Sequence, residues 1–430
     1  MDSSKIEPKT LRGFHDRLPP ETLKKEFLID QLKAVFKLFG FLPIETPHLE
    51  YLETLKGEEG EISKQIFHFK DQGDRDVGLR FDLTVPLARF IAQYKNEVGL
   101  PFKRYAIGNV FRGERPQAGR YREFTQCDFD IVGTRSVLAD AEILLVVVKS
   151  LDIISVKDFV VKINHRCLMN AVAFHLGLPE ATPLLRAIDK LDKIGEDGVL
   201  KELLETTSLS EDSIRWTFEL FKKRGLQLIT HLEETLNNDL PLVRENLTRG
   251  SSETREIISL LGNDERFELD LTVARGLGYY TGMVFETVLK DRAELGSISS
   301  GGRYDDLVET FSSDSIPGVG GSIGLDRLLV YLESREAGSQ VKVFIPLEDD
   351  GKKHNLFMIA DKLRDAHIPC EVYPEAHKMK KQFDYATRWG HSHIIFLNGD
   401  NSLRLRDSKT RVDTTCPDIE AVLRHLSPKL

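Results

Sequence analysis

The sequence predicts an α+β fold divided into more than one domain, and three observations carry that expectation. Residues 66–133 are mostly strand-like (IFHF, VGLRF, RYAIGNVF, EFTQCDFDIV), broken by turn segments such as KDQGDRD and by one helical stretch, DLTVPLARFIAQY. Strands that follow one another with few helices between them indicate an antiparallel sheet with helices packed on it. Residues from about 170 to 255 turn helical in period and rich in charge, and strand-like text returns at 267–288. Beyond SREAGSQ, strand and helix alternate, the pattern of a small α/β domain. A chain of 430 residues is also too long for one ordinary core.

The elements follow in order. Over residues 21–39, Leu23, Phe27, Leu28, Leu32, Val35, Phe36 and Phe39 recur at helical spacing, and Gly40 is a suitable stop. FLPIETPHLE reads as a short extended run, in which Pro43 and Pro47 suit an edge strand or an interface. SVLADAEILLVVVKSL reads as a long helix. ISSGGRYDDLVETF and GVGGSIGLDRLLVYLESR read as glycine loops followed by helices. The expected boundaries are therefore 1–169 and 256–335 for a sheet domain in two parts, 170–255 for a helical insertion, and 341–430 for the α/β domain.

Composition narrows the function. No apolar run approaches the roughly 18–20 residues that span a bilayer, and MDSSKIEPKT lacks the apolar core of a signal peptide, so a cytoplasmic protein with no membrane partner is expected. Cys127, Cys167, Cys370 and Cys416 are far apart, with no CxxC and no HExxH anywhere, which argues against zinc and against a disulfide framework. A net charge of −9 argues against a cationic coat for nonspecific nucleic-acid binding but leaves room for local basic sites, such as the loop around Arg112 or Lys378, Lys380 and Lys381. There is no GxxxxGK[ST], and neither GVGGSIG nor RGLGYYTG matches GxGxxG. Arginines, whose planar fork donates two hydrogen bonds at once, must then hold the phosphates of any nucleotide.

One stretch joins both kinds of chemistry: FRGERPQAGRYREFTQCDFDIVG, residues 111–133. Its first half holds Arg112, Arg115, Arg120 and Arg122. In its second half strand alternation puts Phe124, Gln126, Asp128 and Asp130 on one face and Thr125, Cys127, Phe129 and Ile131 on the other. The polar face suits a floor for a polar or cationic ligand, and equally a solvated strand. In GLRFDLTVPLARF, Arg80, Asp82 and Thr84 share one parity, though Asp82 or Thr84 also suits a helix cap. ARGLGYYTGMVFE sets Arg275 beside tyrosines and glycines, where a ligand can approach the backbone; a bulged strand with a surface arginine has the same text. GSIGLDRL puts Arg327 at a helix start, a position that attracts anions, or else in a surface pair with Asp326.

These segments together resemble the class II aminoacyl-tRNA synthetases, and within them the histidyl-tRNA synthetases, over roughly residues 10–425. TLRGFHDRLPPE is similar to that family's N-terminal signature. GFLPIETPHLE is similar to motif 1, whose proline (here Pro47) lies at a dimer interface, so a homodimer is implied. FRGERPQAGRYREF resembles motif 2 and GSIGLDRLL motif 3, while ARGLGYYTGMVFE and GGRYDDL resemble segments peculiar to the histidine enzymes. LRFDLT is closer to the eukaryotic and archaeal form. Gly278 stands where the family usually has an aspartate, and SSGGRYDDL is a variant of the usual glycine-rich segment.

The resemblance implies a histidine–tRNA ligase with L-histidine, ATP and tRNA(His) as substrates, Mg²⁺ accompanying ATP, and an anticodon-binding domain at 341–430. It implies that Arg112 binds the α-phosphate, Glu114 lies near adenine and Arg327 holds the γ-phosphate. Arg275 is implied at the reacting carboxylate and α-phosphate, Arg112 and Arg275 being the catalytic pair. Asp82, Thr84, Gln126 and Asp130 match positions at the substrate α-amino group and its neighbours, Tyr279 and Tyr280 match the imidazole pocket, and Arg115, Gln117 and Arg120 reach the tRNA acceptor end. Two alternatives stand beside this. One is a non-catalytic, synthetase-like regulatory subunit of ATP phosphoribosyltransferase, against which the retained Arg112, Arg275 and Arg327 weigh. The other is a plain RNA-binding module, against which the net charge of −9 weighs.

Overall fold

A computed structural model describes residues 6–56, 65–116, 121–188, 190–274, 280–332 and 342–426. The chain divides into two compact units, Met1–Leu332 and Glu333–Leu430.

The first unit contains eleven of the described strands in chain order: β1 (Leu42–Pro43), β2 (Leu49–Tyr51), β3 (His68–Lys70), β4 (Asp76–Leu79), β5 (Phe102–Phe111), β6 (Glu123–Val132), β7 (Phe159–His165), β8 (Phe267–Leu269), β9 (Met283–Leu289), β10 (Ser297–Tyr304) and β11 (Gly318–Gly324). Eight of them form one sheet in the order β1-β5-β6-β11-β10-β9-β7-β8. Only its outermost pairs, β1–β5 and β7–β8, are parallel. The strand-like segments near residues 68 and 79 do not join this sheet: β2, β4 and β3 form a small antiparallel sheet of their own. Pro43 lies in the edge strand β1, where a missing N–H interrupts no inner ladder.

One face of the large sheet carries Tyr105, Cys127, Phe129, Phe285, Val319 and Ile323, packed into a core with helices Pro19–Leu38 and Val137–Ile153. The first helix buries Leu28, Leu32, Val35 and Phe36 as its spacing predicts. Leu23 and Phe27 from the same predicted stripe are exposed instead, because they lie on the outer edge of that stripe. The long helix is tied down by Arg303 of β10, whose Nε lies 3.0 Å from Asp140 Oδ1 and whose Nη1 donates to Thr134 O at 3.0 Å.

The glycine-rich segments expected as loops are the central strands β10 and β11, and the reason is steric. A Cβ on Gly301 would lie 2.1 Å from Gly320 O, and one on Gly321 would lie 2.8 Å from the Phe285 ring. Glycine inside a strand marks such close approaches of backbone or side chain. Here the large aromatics beneath the sheet occupy the space that side chains on β10 and β11 would need.

Between β7 and β8 the chain runs through a set of helices from Arg166–His175 to Pro241–Leu260. They surround a separate core that includes Leu184, Val199, Ile214, Phe218, Leu232 and Val243. In the second unit, strands β12 (Val343–Ile345), β13 (Cys370–Val372), β14 (His393–Leu397), β15 (Leu403–Asp407) and β16 (Asp413–Cys416) lie in the order β13-β12-β14-β15-β16. Helices Lys353–Asp365, Met379–Arg388 and Ile419–Leu426 accompany them. Gln382 is fully buried there: its Oε1 accepts from Leu347 N–H at 2.9 Å, and its Nε2 donates to Leu347 O at 2.8 Å.

Because the atom facing Gly301 is backbone, no rotamer change can relieve the contact. Gly301→Ala is expected to lower unfolding free energy by about 1–3 kcal/mol, as overpacked cores do. Urea denaturation of the two proteins measures it; equal midpoints would contradict the steric account.

Candidate active site

The other face of the large sheet is built of polar groups over glycines. Cross-strand register puts Arg104 (β5), Asp130 (β6), Gly320 (β11) and Gly302 (β10) in one row. The next row is Ala106, Asp128, Ser322 and Ser300, and the next is Gly108, Gln126 and Gly324. The glycines of these rows make space. A Cβ on Gly320 would lie 1.9 Å from Asp130 Oδ1, one on Gly302 3.0 Å from the Tyr280 ring, and one on Gly318 2.4 Å from the Tyr304 ring. Asp130, Tyr280 and Tyr304 thus lie against a backbone surface that only glycine leaves open.

Asp130 is held on both sides. Tyr304 donates its hydroxyl to Oδ1 at 2.6 Å, and Arg104 Nη2 lies 2.6 Å from Oδ2. Arg104 has no exposed surface, and Asp128 and Asp130 are only 2% and 3% exposed. Burial pushes the Asp128 carboxyl up to about 7, with Arg104 pulling it down and Asp130 pushing it up. Burial also raises Asp130 against Arg104 and the Tyr304 hydrogen bond, and raises Tyr304 further. Asp82 adds its field to both acids. Two buried carboxyls sharing one guanidinium, with the Asp82 carboxyl acting on both, favour a cationic ligand.

Several buried atoms of this face lack a hydrogen-bond partner within the protein: Arg104 Nε and Nη1, Gln126 Oε1 and Asp128 Oδ1. Asp130 Oδ2 belongs with them by alignment, although its 2.6 Å separation from Arg104 makes it an ion pair. Distance decides the electrostatics of that contact, and angle decides that it is a poor hydrogen bond. Buried polar atoms are nearly always satisfied, so a cluster of exceptions on one face marks where a polar ligand fits.

The remaining predicted residues fall around this floor. Asp82 Oδ1 accepts from Thr84 N at 3.1 Å and Val85 N at 2.9 Å, so Asp82 does cap the helix Thr84–Val98 while its charge reaches the acids of β6. Arg80, of the same parity, is a structural clamp: its guanidinium donates to Asn109 O and Thr46 O, both at 2.8 Å. Arg112 follows β5, with Nε donating to Phe81 O at 3.2 Å and its guanidinium 4.3 Å and 5.0 Å from the Phe81 and Phe124 ring centres. Glu114 accepts from Arg122 Nε through its backbone oxygen at 3.0 Å, and Arg115 is exposed. Arg327 lies in the helix Leu325–Leu332 that follows β11 and donates to Ser297 O. The alternative pairing of Asp326 with Arg327 is not what forms: Asp326 accepts from Thr125 N at 2.8 Å and from Arg17. Arg112 and Arg327 therefore attach to the Gln126 end of the sheet and the acids to the Asp130 end. Arg275, Tyr279, Gln117 and Arg120 lie outside the described residues.

Sequence reasoning passed over Arg104, Tyr304 and Ser322 and left Asp128 uncommitted. Strand parity already placed Asp128 with Gln126 and Asp130, but Arg104 and Tyr304 reach Asp130 only through pairings that a single sequence does not show.

A large, mostly antiparallel sheet with helices on one face and a polar, glycine-floored opposite face is the class II aminoacyl-tRNA synthetase type of catalytic fold. The histidyl-tRNA synthetase family model matches residues 13–328. Histidine–tRNA ligases from Helicobacter acinonychis and Wolinella succinogenes are 45% and 43% identical, over 96% and 97% of both chains respectively. A histidyl-tRNA synthetase structure from Nostoc superposes with a TM-score of 0.86 at 31% identity, covering 99% of this chain and 100% of that one. The chain belongs to the histidyl-tRNA synthetase family. A Bacillus halodurans structure described as an ATP phosphoribosyltransferase regulatory subunit/histidyl-tRNA synthetase shares the fold, with a TM-score of 0.74 at 23% identity over 91% of this chain.

The buried acids make a pH signature. Asp128 titrates near 7 when folded, against an ordinary value of 3.8. Between these values the folded state holds a proton that the unfolded state has lost, so stability rises as pH falls through 7. Asp128→Asn removes the cost of the buried charge and is expected to stabilise the chain at pH 8, by on the order of 1–3 kcal/mol. The gain should shrink by pH 5. Urea titrations at both pH values check this, and a gain that grows on acidification would contradict it.

Proposed function

We propose that this chain, a histidine–tRNA ligase, activates L-histidine with ATP and transfers it to tRNA(His) on the polar face of the large sheet. The observation that supports this placement is the cluster of unsatisfied buried atoms on β5 and β6, in a chain 43–45% identical to histidine–tRNA ligases over nearly its whole length. The acids near Asp130 receive the amino acid, and Arg112 and Arg327 receive the triphosphate at the other end. The substrate carboxylate attacks the α-phosphorus between them and pyrophosphate leaves. Two anions must meet, so fixed positive charge from Arg112 and Arg275 stabilises the transition state, and positioning supplies much of the rest. A carboxylate nucleophile needs no general base. The terminal ribose hydroxyl of tRNA(His) then attacks the adenylate, with Arg115, Gln117 and Arg120 guiding the acceptor end.

Within the site, Asp82, Thr84, Gln126 and Asp130 serve the substrate α-amino group and its neighbours, Tyr280 its ring, and Glu114 the adenine. Tyr279 lines the same pocket. Among the described residues no group of three or more His, Cys, Asp or Glu is arranged to hold a metal ion. Mg²⁺ would accompany ATP, bound by its phosphates and by one or two carboxylates. Residues 1–169 and 256–335 form the catalytic part, 170–255 an insertion, and 341–430 the anticodon-binding domain. Apolar residues exposed along β1 and β2, Leu42 at 58% and Tyr51 at 51%, flank Pro47 and suit a homodimer contact. No helix among the described residues is long and apolar enough to cross a membrane, and the cytoplasm is the compartment we assign.

Histidine-dependent pyrophosphate exchange and charging of tRNA(His) test the whole assignment; a regulatory subunit would do neither. Arg275→Ala is expected to bind ATP yet to form adenylate ~10²–10³-fold more slowly, the typical cost of removing a preorganised donor. Single-turnover adenylate formation measures this, and a wild-type rate would remove Arg275 from the mechanism. A chain truncated after residue 335 should retain pyrophosphate exchange and lose most tRNA charging; equal charging by both chains would contradict the anticodon role.

A further inference from the structure

We infer that Asp128 and Ser322 form a hydrogen-bond relay that fixes the side-chain amide of Gln126 with its oxygen toward the substrate ammonium group. The inference rests on the assignment of Gln126 to the amino-acid pocket and adds two positioning residues behind it.

Three observations carry it. Asp128 and Ser322 are direct cross-strand partners on β6 and β11. From directly across the strands, the Ser322 hydroxyl acts on the Asp128 carboxyl and favours its ionised form. Gln126 Nε2 lies 3.1 Å from the same Ser322 Oγ, while Gln126 Oε1 is buried and unpartnered. Donor and acceptor roles then follow. An ionised carboxylate only accepts, so Ser322 gives its single proton to Asp128. Ser322 Oγ is left as an acceptor, and only the NH₂ end of Gln126 can donate to it. The amide oxygen is forced to the opposite side, where it can accept from a cation. Without the relay the amide has two nearly equivalent orientations, and one of them presents an N–H to the ammonium group.

Protonation of Asp128 breaks this order. Its hydroxyl could donate to Ser322, and Ser322 could then donate to Gln126 Oε1, turning the amide over. Burial raises the Asp128 carboxyl to about 7, so the reversal falls in an accessible range. The titratable and charged groups facing Asp128 are Arg104 from β5, Asp130 from its own strand, Asp82 and Arg80 from the segment before helix Thr84–Val98, and Tyr304 from β10, which stays neutral.

The test uses the full chain and histidine-dependent pyrophosphate exchange, with KM for histidine, KM for ATP and kcat measured from pH 6 to 8.5. Gln126→Ala, Ser322→Ala, Asp128→Asn and the double variant Ser322→Ala/Asp128→Asn are compared with wild type. Each relay variant is expected to raise the histidine KM about tenfold at pH 8, in line with one charge-assisted hydrogen bond lost, and to leave the ATP KM within about twofold. The double variant should be no worse than either single one, because both break the same chain. Wild type alone should show an enzyme-dependent rise in histidine KM as pH falls through about 7; the substrate's own titration cancels in the ratio to Ser322→Ala. If Gln126→Ala leaves the histidine KM unchanged, the pocket assignment itself fails. If Gln126→Ala raises it but Ser322→Ala and Asp128→Asn do not, the pocket stands and the relay is overturned. Additive effects in the double variant would also overturn it.

Discussion

Burying three ionisable side chains on one sheet face is the constraint around which the rest of the first unit is arranged. Asp128, Asp130 and Arg104 are almost without exposure, and two acids share one guanidinium. Such a group is costly unless its members are held in place and satisfied. The surrounding fold supplies that hold. Tyr304 reaches over Gly318 to donate to Asp130, Gly320 leaves room for the Asp130 carboxyl, and Leu83 O accepts from Arg104 at 3.3 Å. The glycines of β10 and β11 follow from this requirement, with polar side chains on one face and aromatic rings on the other. Between two crowded layers, the strands that separate them can carry almost no side chain of their own.

The same constraint explains the polarity of the proposed site. Negative charge gathers at the Asp130 end, and Arg112 and Arg327 attach at the Gln126 end. A reaction that joins an ammonium-bearing carboxylate to a triphosphate needs both kinds of charge. Rigid strands keep them apart more reliably than loops could, because the spacing along β6 is fixed by the pleat. Arg112 is held in position by aromatic contacts, its guanidinium lying 4.3 Å and 5.0 Å from the Phe81 and Phe124 ring centres.

Much of this was legible in the sequence, but unevenly. Alternation in EFTQCDFDIV assigned both faces of β6 correctly, since parity is local. The helical stripe from Leu28 to Phe36 was legible for the same reason. Asp82 suited a helix cap or a pocket in the sequence; one of its oxygens caps the helix, and its carboxyl also acts on the acids of β6. The glycine segments were misread as loops because glycine is both the residue of turns and the residue of close approach. Only the position of Phe285 and Phe129 beneath the strands tells the two apart, and that is a tertiary fact. Arg104 was passed over because RYAIGNVF reads as an ordinary strand. Its partner lies 26 positions further on, opposite it in a register that only folding fixes.

Arg80 and Arg104 show why residue type alone could not settle the site. Both are buried arginines near the acids. Arg80 spreads its donors over Asn109 O, Thr46 O and the His48 ring, so it is matched within the protein and holds the segment after β1 in place. Arg104 has Nε and Nη1 without partners and sits against a carboxylate. The difference is in hydrogen-bond accounting, not in charge or burial. A structural arginine is one whose donors are used up by carbonyls of its own chain, whereas a pocket arginine is left incomplete. By that measure Gln126 and Asp128 belong with Arg104, and the incomplete groups lie side by side on neighbouring strands. A fold that leaves its unsatisfied atoms adjacent, while satisfying similar residues a few ångströms away, has placed them where one polar ligand can complete them together.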